Sequence, residues 1–68
     1  MKVLITGCQG QLGIEVCKQM NDLNRSNKRF ELIETDINTL NITNSFQVHK
    51  MVTEEKPDVI INTAAYTN

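Results

Sequence analysis

Gly7, Gly10 and Gly13 are the only three glycines in this 68-residue chain, spaced three apart directly after the apolar run Val3-Leu4-Ile5. Apolar residues at helical spacing follow them, so the order reads strand, glycine turn, helix. Each glycine then has a separate task. Gly7 lets the backbone turn sharply out of the strand, Gly10 lets it come within hydrogen-bonding distance of a bound group, and Gly13 lets the helix sit close to the strand. Amides from Gly10 to Leu12 open the helix without an intrahelical acceptor, and the helix dipole adds partial positive charge there. A pyrophosphate held by Gly10, Gln11 and Leu12 is therefore favoured without any lysine. The plainer reading is a tight βα turn with no guest.

Context narrows the choice. Asp36 follows Gly13 by 23 positions and stands at the end of a second apolar run, close to the spacing of about 20 at which a carboxylate meets an adenosine ribose in a dinucleotide-binding βαβ unit. Its alternative role is that of a turn residue ahead of Asn38.

Composition bounds the rest. A chain this short makes one small domain at most and buries only about 60% of the surface its unfolded form exposes. With one Tyr, two Phe and no Trp, few large groups are at hand to fill a sheet flanked by helices. The net charge of -1 offers no general attraction to nucleic acid or to an anionic membrane. Arg25, Lys28 and Arg29 form a local basic cluster, read as a solvated loop.

Cys8 and Cys17, nine residues apart, fit neither a Cys-x-x-Cys redox pair nor a zinc site, and read as two reduced thiols. No base in the chain would make Cys8 a catalytic nucleophile. His49 lies on an outer helix face with no ligand-spaced partner, so no metal site is expected. The absence of a signal sequence and of any apolar run near the roughly 20 residues that span a bilayer leads to the expectation of a soluble cytoplasmic protein.

Taken in order, residues 2–6 read as a central strand apolar on both faces. Leu12, Val16, Met20 and Leu23 form the predicted buried stripe of a helix from Gln11 to about Leu23, with Ile14 off it. Residues 24–29 are the connection, and residues 30–35 a second strand. Leu40-Asn41-Ile42 reads as a short third strand. Asn44 with Gln47 resembles a capping box, opening a helix whose stripe is Val48, Met51 and Val52, with Phe46 off it. Pro57 stops that helix, and Val59-Ile60-Ile61 reads as a fourth strand. Right-handed crossovers then give an α/β, Rossmann-like parallel sheet in the order 3-2-1-4 with one helix on each face. The fourth strand's unpaired apolar edge suggests the first part of a longer chain, namely residues 1–68 of a partial dinucleotide-binding domain.

The segments 7–13, Leu-Asn-Ile-Thr-Asn at 40–44 and Pro-Asp-Val-Ile-Ile-Asn-Thr-Ala-Ala-Tyr-Thr at 57–67 together resemble the N-terminal part of dTDP-4-dehydrorhamnose reductases, which are extended short-chain dehydrogenases/reductases. The resemblance implies that NADH or NADPH gives hydride to the 4-keto carbon of a dTDP-linked deoxysugar, the last step of dTDP-L-rhamnose synthesis. It also implies roles for residues. Gly10, Gln11 and Leu12, framed by Gly7 and Gly13, hold the pyrophosphate, and Asp36 holds the ribose. Asn41 and Ile42 border the adenine, while Ala64, Ala65, Tyr66 and Thr67 line the path to the nicotinamide.

Three departures matter. Asn41 stands where the family usually has Asp, and can still accept a hydrogen bond from the adenine amino group. Ile37 replaces a basic residue suited to a 2′-phosphate, which Asp36 would repel, so NADH is preferred. The family's Ser or Thr and its Tyr-x-x-x-Lys pair are absent, since Tyr66 has no lysine four places on. No catalytic residue is therefore expected in these 68 residues, and they should be inactive alone. A regulatory nucleotide-binding module, similar to the regulatory subunit of methionine adenosyltransferase, and a sugar-nucleotide epimerase share the same cofactor half. The full-length protein would have the nucleotide sugar as its substrate partner and a possible homo-oligomeric state.

Overall fold

The computed structural model describes residues 1–27 and 29–63. It contains β1 (Lys2–Thr6), α1 (Gln11–Asn27), β2 (Glu31–Glu34), α2 (Ser45–Glu55) and β3 (Val59–Asn62). The three strands form one parallel sheet in the order β2-β1-β3, with Val3 opposite both Leu32 and Val59. β1 carries three consecutive apolar residues, Val3, Leu4 and Ile5, and pairs with a strand on each side. Val3, Leu4 and Ile5 are all nearly inaccessible, as a doubly covered parallel strand requires.

Alternation along β1 splits the core in two. Val3 and Ile5 face α1, where Cys17, Val16 and Met20 pack on them together with Leu32 and Ile61 from the flanking strands. Leu4 and Lys2 face the other way. There the Lys2 ammonium meets the Glu55 carboxylate of α2 at 3.4 Å, so α2 lies over the second face. No residue of α2 is fully buried, and Phe46 is 74% exposed, so this layer is the looser of the two.

The buried stripe of α1 is rotated from the predicted one. Leu12 and Leu23 are 62% and 56% exposed, whereas Cys17 is buried. The stripe runs Gly13, Val16, Cys17, Met20 because the helix is seated by its closest point of approach, at Gly13, rather than by its largest side chains. Ile14 is also exposed. The helix runs to Asn27, one turn beyond the expected end, and Arg25 sits in that last turn 3.7 Å from Asp22. Asn24 then accepts the Phe30 amide and returns the chain to the sheet.

Leu40-Asn41-Ile42 is not a strand, so the expected order loses its outermost member and the predicted fourth strand is β3. From Asp36 to Asn44 the chain instead makes successive turns, with the Asp36 carbonyl accepting from Thr39 and Leu40 and the Asn41 carbonyl from Asn44. Short polar side chains that bond their own backbone compete with a ladder, and here they win. Leu40, 4% exposed, anchors the segment.

Asn44 caps α2 by accepting from the Phe46 and Gln47 amides. The reciprocal half of a capping box is missing, because the Gln47 side chain accepts the Asn41 amide instead. Lys56 closes the helix in the left-handed region, φ 48°, with its N–H on the Val52 carbonyl, and Pro57 follows.

A Cβ on Gly13 would stand 1.8 Å from the Gly7 carbonyl oxygen, whereas one on Gly10 would meet nothing nearer than 3.5 Å. Gly13→Ala is therefore expected to cost about 3 kcal/mol or to prevent folding, and Gly10→Ala less than about 1 kcal/mol. Urea denaturation of the two full-length variants measures the difference; equal costs would contradict the close seating of α1.

Candidate functional site

β1 ends at a buried Thr6, and the next residue, Gly7, takes a φ of 72°. Only a residue without a Cβ adopts that conformation freely. The chain reverses there, and the Gly7 carbonyl accepts the Gly10 amide at 3.0 Å before Ile14 makes the first helical bond to Gly10 at 2.8 Å. The Gly10 amide is thus consumed by the turn, which revises the expectation for its N–H group. Helix geometry leaves Gln11, Leu12 and Gly13 as the amides with no intrahelical acceptor. Gln11 and Leu12 are exposed and Gly13 is buried.

Two hydroxyl residues clamp this turn. Thr35, just past β2, donates its amide and hydroxyl to the Ile5 carbonyl, both at 2.9 Å, and its own carbonyl accepts the Cys8 amide at 2.9 Å. Thr63, just past β3, donates its hydroxyl to the Thr6 carbonyl and, at 3.2 Å, to that of Gly7. Neither was singled out from the sequence. The available signal is a β-branched hydroxyl residue immediately after each flanking strand, where its side chain reaches the central strand's last carbonyls.

Because Thr35 is bonded to Cys8, Asp36 falls at the same sheet edge as the glycine turn. Its carboxylate also serves the turn role that the sequence left open. Oδ1 accepts the Asn38 amide at 2.8 Å and the Thr39 amide at 3.2 Å, while the Asp36 amide donates to the Thr39 hydroxyl at 2.8 Å. These bonds orient the carboxylate before any ligand arrives.

Asn41 is committed in a similar way. Its side-chain oxygen accepts both the amide and the hydroxyl of Thr43, at 3.0 and 2.7 Å, which uses the two lone pairs expected to meet an adenine amino group. Ile42 is half-buried beside it, and Ile37 is 72% exposed. Ala64, Ala65, Tyr66 and Thr67 lie outside the described residues. A cleft of about 260 Å³ lined by Thr39, Leu40, Gln47, Lys50, Met51 and Glu54 contains none of the sequence-derived site residues.

Among the described residues no group of three or more His, Cys, Asp or Glu is placed to hold a metal, and no helix is long and apolar enough to cross a membrane. Of the basic cluster, Arg25 pairs with Asp22 on α1 and the Arg29 carbonyl accepts from the chain's amino terminus, while Lys28 lies outside the described residues. Cys17 is pushed up from 9.0 to about 12, chiefly by burial and then by its hydrogen bond to Cys8.

Comparison with known proteins matches residues 1–68 to the model of the RmlD substrate binding domain family. The chain is 43% identical over 67 residues to a dTDP-4-dehydrorhamnose reductase of Aggregatibacter actinomycetemcomitans, covering 98% of this chain and 21% of that protein. It is 34% identical over 67 residues to the spore coat polysaccharide biosynthesis protein SpsK of Bacillus subtilis strain 168, covering 98% of this chain and 22% of that one. The crystal structure of a dTDP-4-dehydrorhamnose reductase from Clostridium acetobutylicum superimposes with a TM-score of 0.83 at 49% identity, over 98% of this chain and 22% of that one. The chain thus spans about a fifth of the length of the curated relatives it matches.

Two outcomes follow from these bonds. Asp36→Ala is expected to lower stability by about 1 to 2 kcal/mol through loss of two accepted hydrogen bonds, and Asp36→Asn by much less, since an amide oxygen still accepts. Urea denaturation of the full-length variants reads this, and equal losses would contradict the turn role. For Cys17 the folded form holds its proton more tightly than the unfolded form, so its contribution is complete below pH 9 and declines as pH rises toward 12. The stability difference between the protein and its Cys17→Ala variant should shrink across that interval; a constant difference would argue against a buried thiol.

Proposed function

The chain belongs to the RmlD substrate binding domain family, and from that membership we propose that residues 1–68 form the first, cofactor-binding part of a nicotinamide-dependent reductase of a dTDP-4-dehydro-6-deoxy sugar in dTDP-L-rhamnose synthesis. The observation that carries the reading is Gly10. Packing within the chain does not demand a glycine there, since a Cβ would have only an ordinary contact at 3.5 Å. What a side chain at that point would obstruct is a ligand approaching the exposed start of α1.

The residues fit a dinucleotide. The Gln11 and Leu12 amides and the positive end of the α1 dipole would receive the pyrophosphate, with Gly13 holding the helix in place behind them. The carboxylate of Asp36, fixed through Oδ1 by its own turn, would meet the ribose hydroxyls. Asn41 and Ile42 would border the adenine through their surfaces, as the Asn41 oxygen is engaged by Thr43. Ala64, Ala65, Tyr66 and Thr67 remain assigned to the nicotinamide side by family resemblance. When bound, the cofactor supplies the hydride. This stretch contributes binding and orientation, and no residue in it is assigned a proton transfer.

The family's description names substrate binding, and the nucleotide sugar is taken to meet the parts of the protein that these residues do not include. The exposed outer strand β3, with Val59 and Ile60 40% and 50% accessible, supports reading residues 1–68 as part of a larger domain. On this reading the 68-residue chain alone shows no reductase turnover.

Asp36 and Ile37 set the expected cofactor preference, because a 2′-phosphate would face a carboxylate and an apolar side chain where a cation would be needed. Calorimetric titration of the full-length protein should give a Kd for NADH about tenfold or more below that for NADPH, a gap of about 1.4 kcal/mol. Asp36→Ala should narrow it. Tighter binding of NADPH would refute the preference, and binding of neither would refute the site.

A further inference from the structure

The glycine turn does more than shape a backbone. It folds α1 back over β1 so that Cys8, in the turn, meets Cys17, in the second turn of the helix, with their sulfurs 2.9 Å apart. Both thiols are free. Cys17 lies in the core against Val3 and Ile5, 7% exposed, whereas Cys8 is only partly buried. Two thiols in such contact are usually read as small apolar core residues. The contact is closer than that role needs, and a disulfide of about 2.05 Å requires the sulfurs to move by less than about 1 Å.

We propose that Cys8 and Cys17 are an oxidation site, closing to a reversible disulfide when a low-molecular-weight disulfide such as oxidised glutathione reaches the turn. Cys8 is the less buried residue of the pair, so its sulfur attacks first as the thiolate. The glutathione S–S bond breaks, one glutathione thiolate leaves, and Cys8 carries a mixed disulfide. Cys17 then gives its proton to solvent and its sulfur attacks the Cys8 sulfur, releasing the second glutathione thiolate. Two cysteine thiols are oxidised by two electrons, and one glutathione disulfide is reduced to two thiols. The buried thiol's tight hold on its proton keeps it out of the first step and reserves it for the second, where contact with Cys8 replaces diffusion. The closed form ties the turn to the second turn of α1.

This inference does not rest on nucleotide binding, and the readout is chemical, so either can fail without the other. The full-length protein is incubated with oxidised glutathione, quenched with an alkylating agent and digested with trypsin. Both cysteines fall on one peptide, Val3–Lys18. The expected product is that peptide lighter by two hydrogens and carrying no alkyl group, restored to the doubly alkylated form by prior treatment with dithiothreitol. Cys17→Ala should accumulate a single glutathione on Cys8, and Cys8→Ala should leave Cys17 unmodified under the same conditions. Recovery of the unmodified protein's peptide doubly alkylated after oxidant, or with a lasting glutathione on Cys8 beside a free Cys17, would overturn the proposal. Equal glutathione addition to Cys17 in the Cys8→Ala variant would overturn the assigned order.

Discussion

The structure depends on the contact between Gly13 and the Gly7 carbonyl. A helix can approach a strand end this closely only where neither partner carries a side chain, and the space left for a Cβ at Gly13 is 1.8 Å. From that single approach the rest follows. The first turn of α1 is placed directly above the end of β1, its rotation is set so that Val16, Cys17 and Met20 face the core, and the amides of Gln11 and Leu12 are left at the open edge of the sheet. Larger side chains such as Leu12 and Leu23 have to yield to this geometry and turn outward.

The same edge is assembled without a cation in the turn itself. Backbone N–H groups, a helix dipole and one carboxylate make up its polarity, and each is oriented by bonds within the fold. Thr35 and Thr63 fasten the two flanking strands to the last carbonyls of β1, so that the turn is held from both sides. Asp36 is positioned by the Asx-type bonds of its Oδ1. Turn residue and ligand residue, set out as alternatives from the sequence, are compatible in one side chain, because a carboxylate has a second oxygen. For Asn41 the two roles compete, since its single side-chain oxygen already accepts twice from Thr43.

Much of this arrangement was legible in the sequence, and the remainder was hidden for identifiable reasons. Strand β1, the glycine turn, both helices and the parallel β3 follow from apolar runs and punctuation by glycine and proline. The placement of Asp36 beside the turn follows from parallel pairing of β2 with β1. The buried face of α1 keeps Val16 and Met20 but replaces Leu12 and Leu23 with Gly13 and Cys17, because apolar periodicity gives a glycine no weight, while close approach favours the residue that needs least room. The segment Leu40-Asn41-Ile42 looked like a strand because its polar neighbours' bonds to their own backbone leave no mark in an apolar pattern. The Cys8–Cys17 contact was invisible to motif spacing, since nine residues bring the two sulfurs together only when a tight turn reverses the chain.

The most direct test of the account is to follow the backbone amide resonances of the isotopically labelled full-length protein as NADH is added. The largest shifts are expected at Gln11, Leu12 and Gly13, accompanied by Asp36, with the Cys17 to Asn27 portion of α1 little changed. Saturable NADH binding that leaves Gln11 and Leu12 unmoved would contradict it.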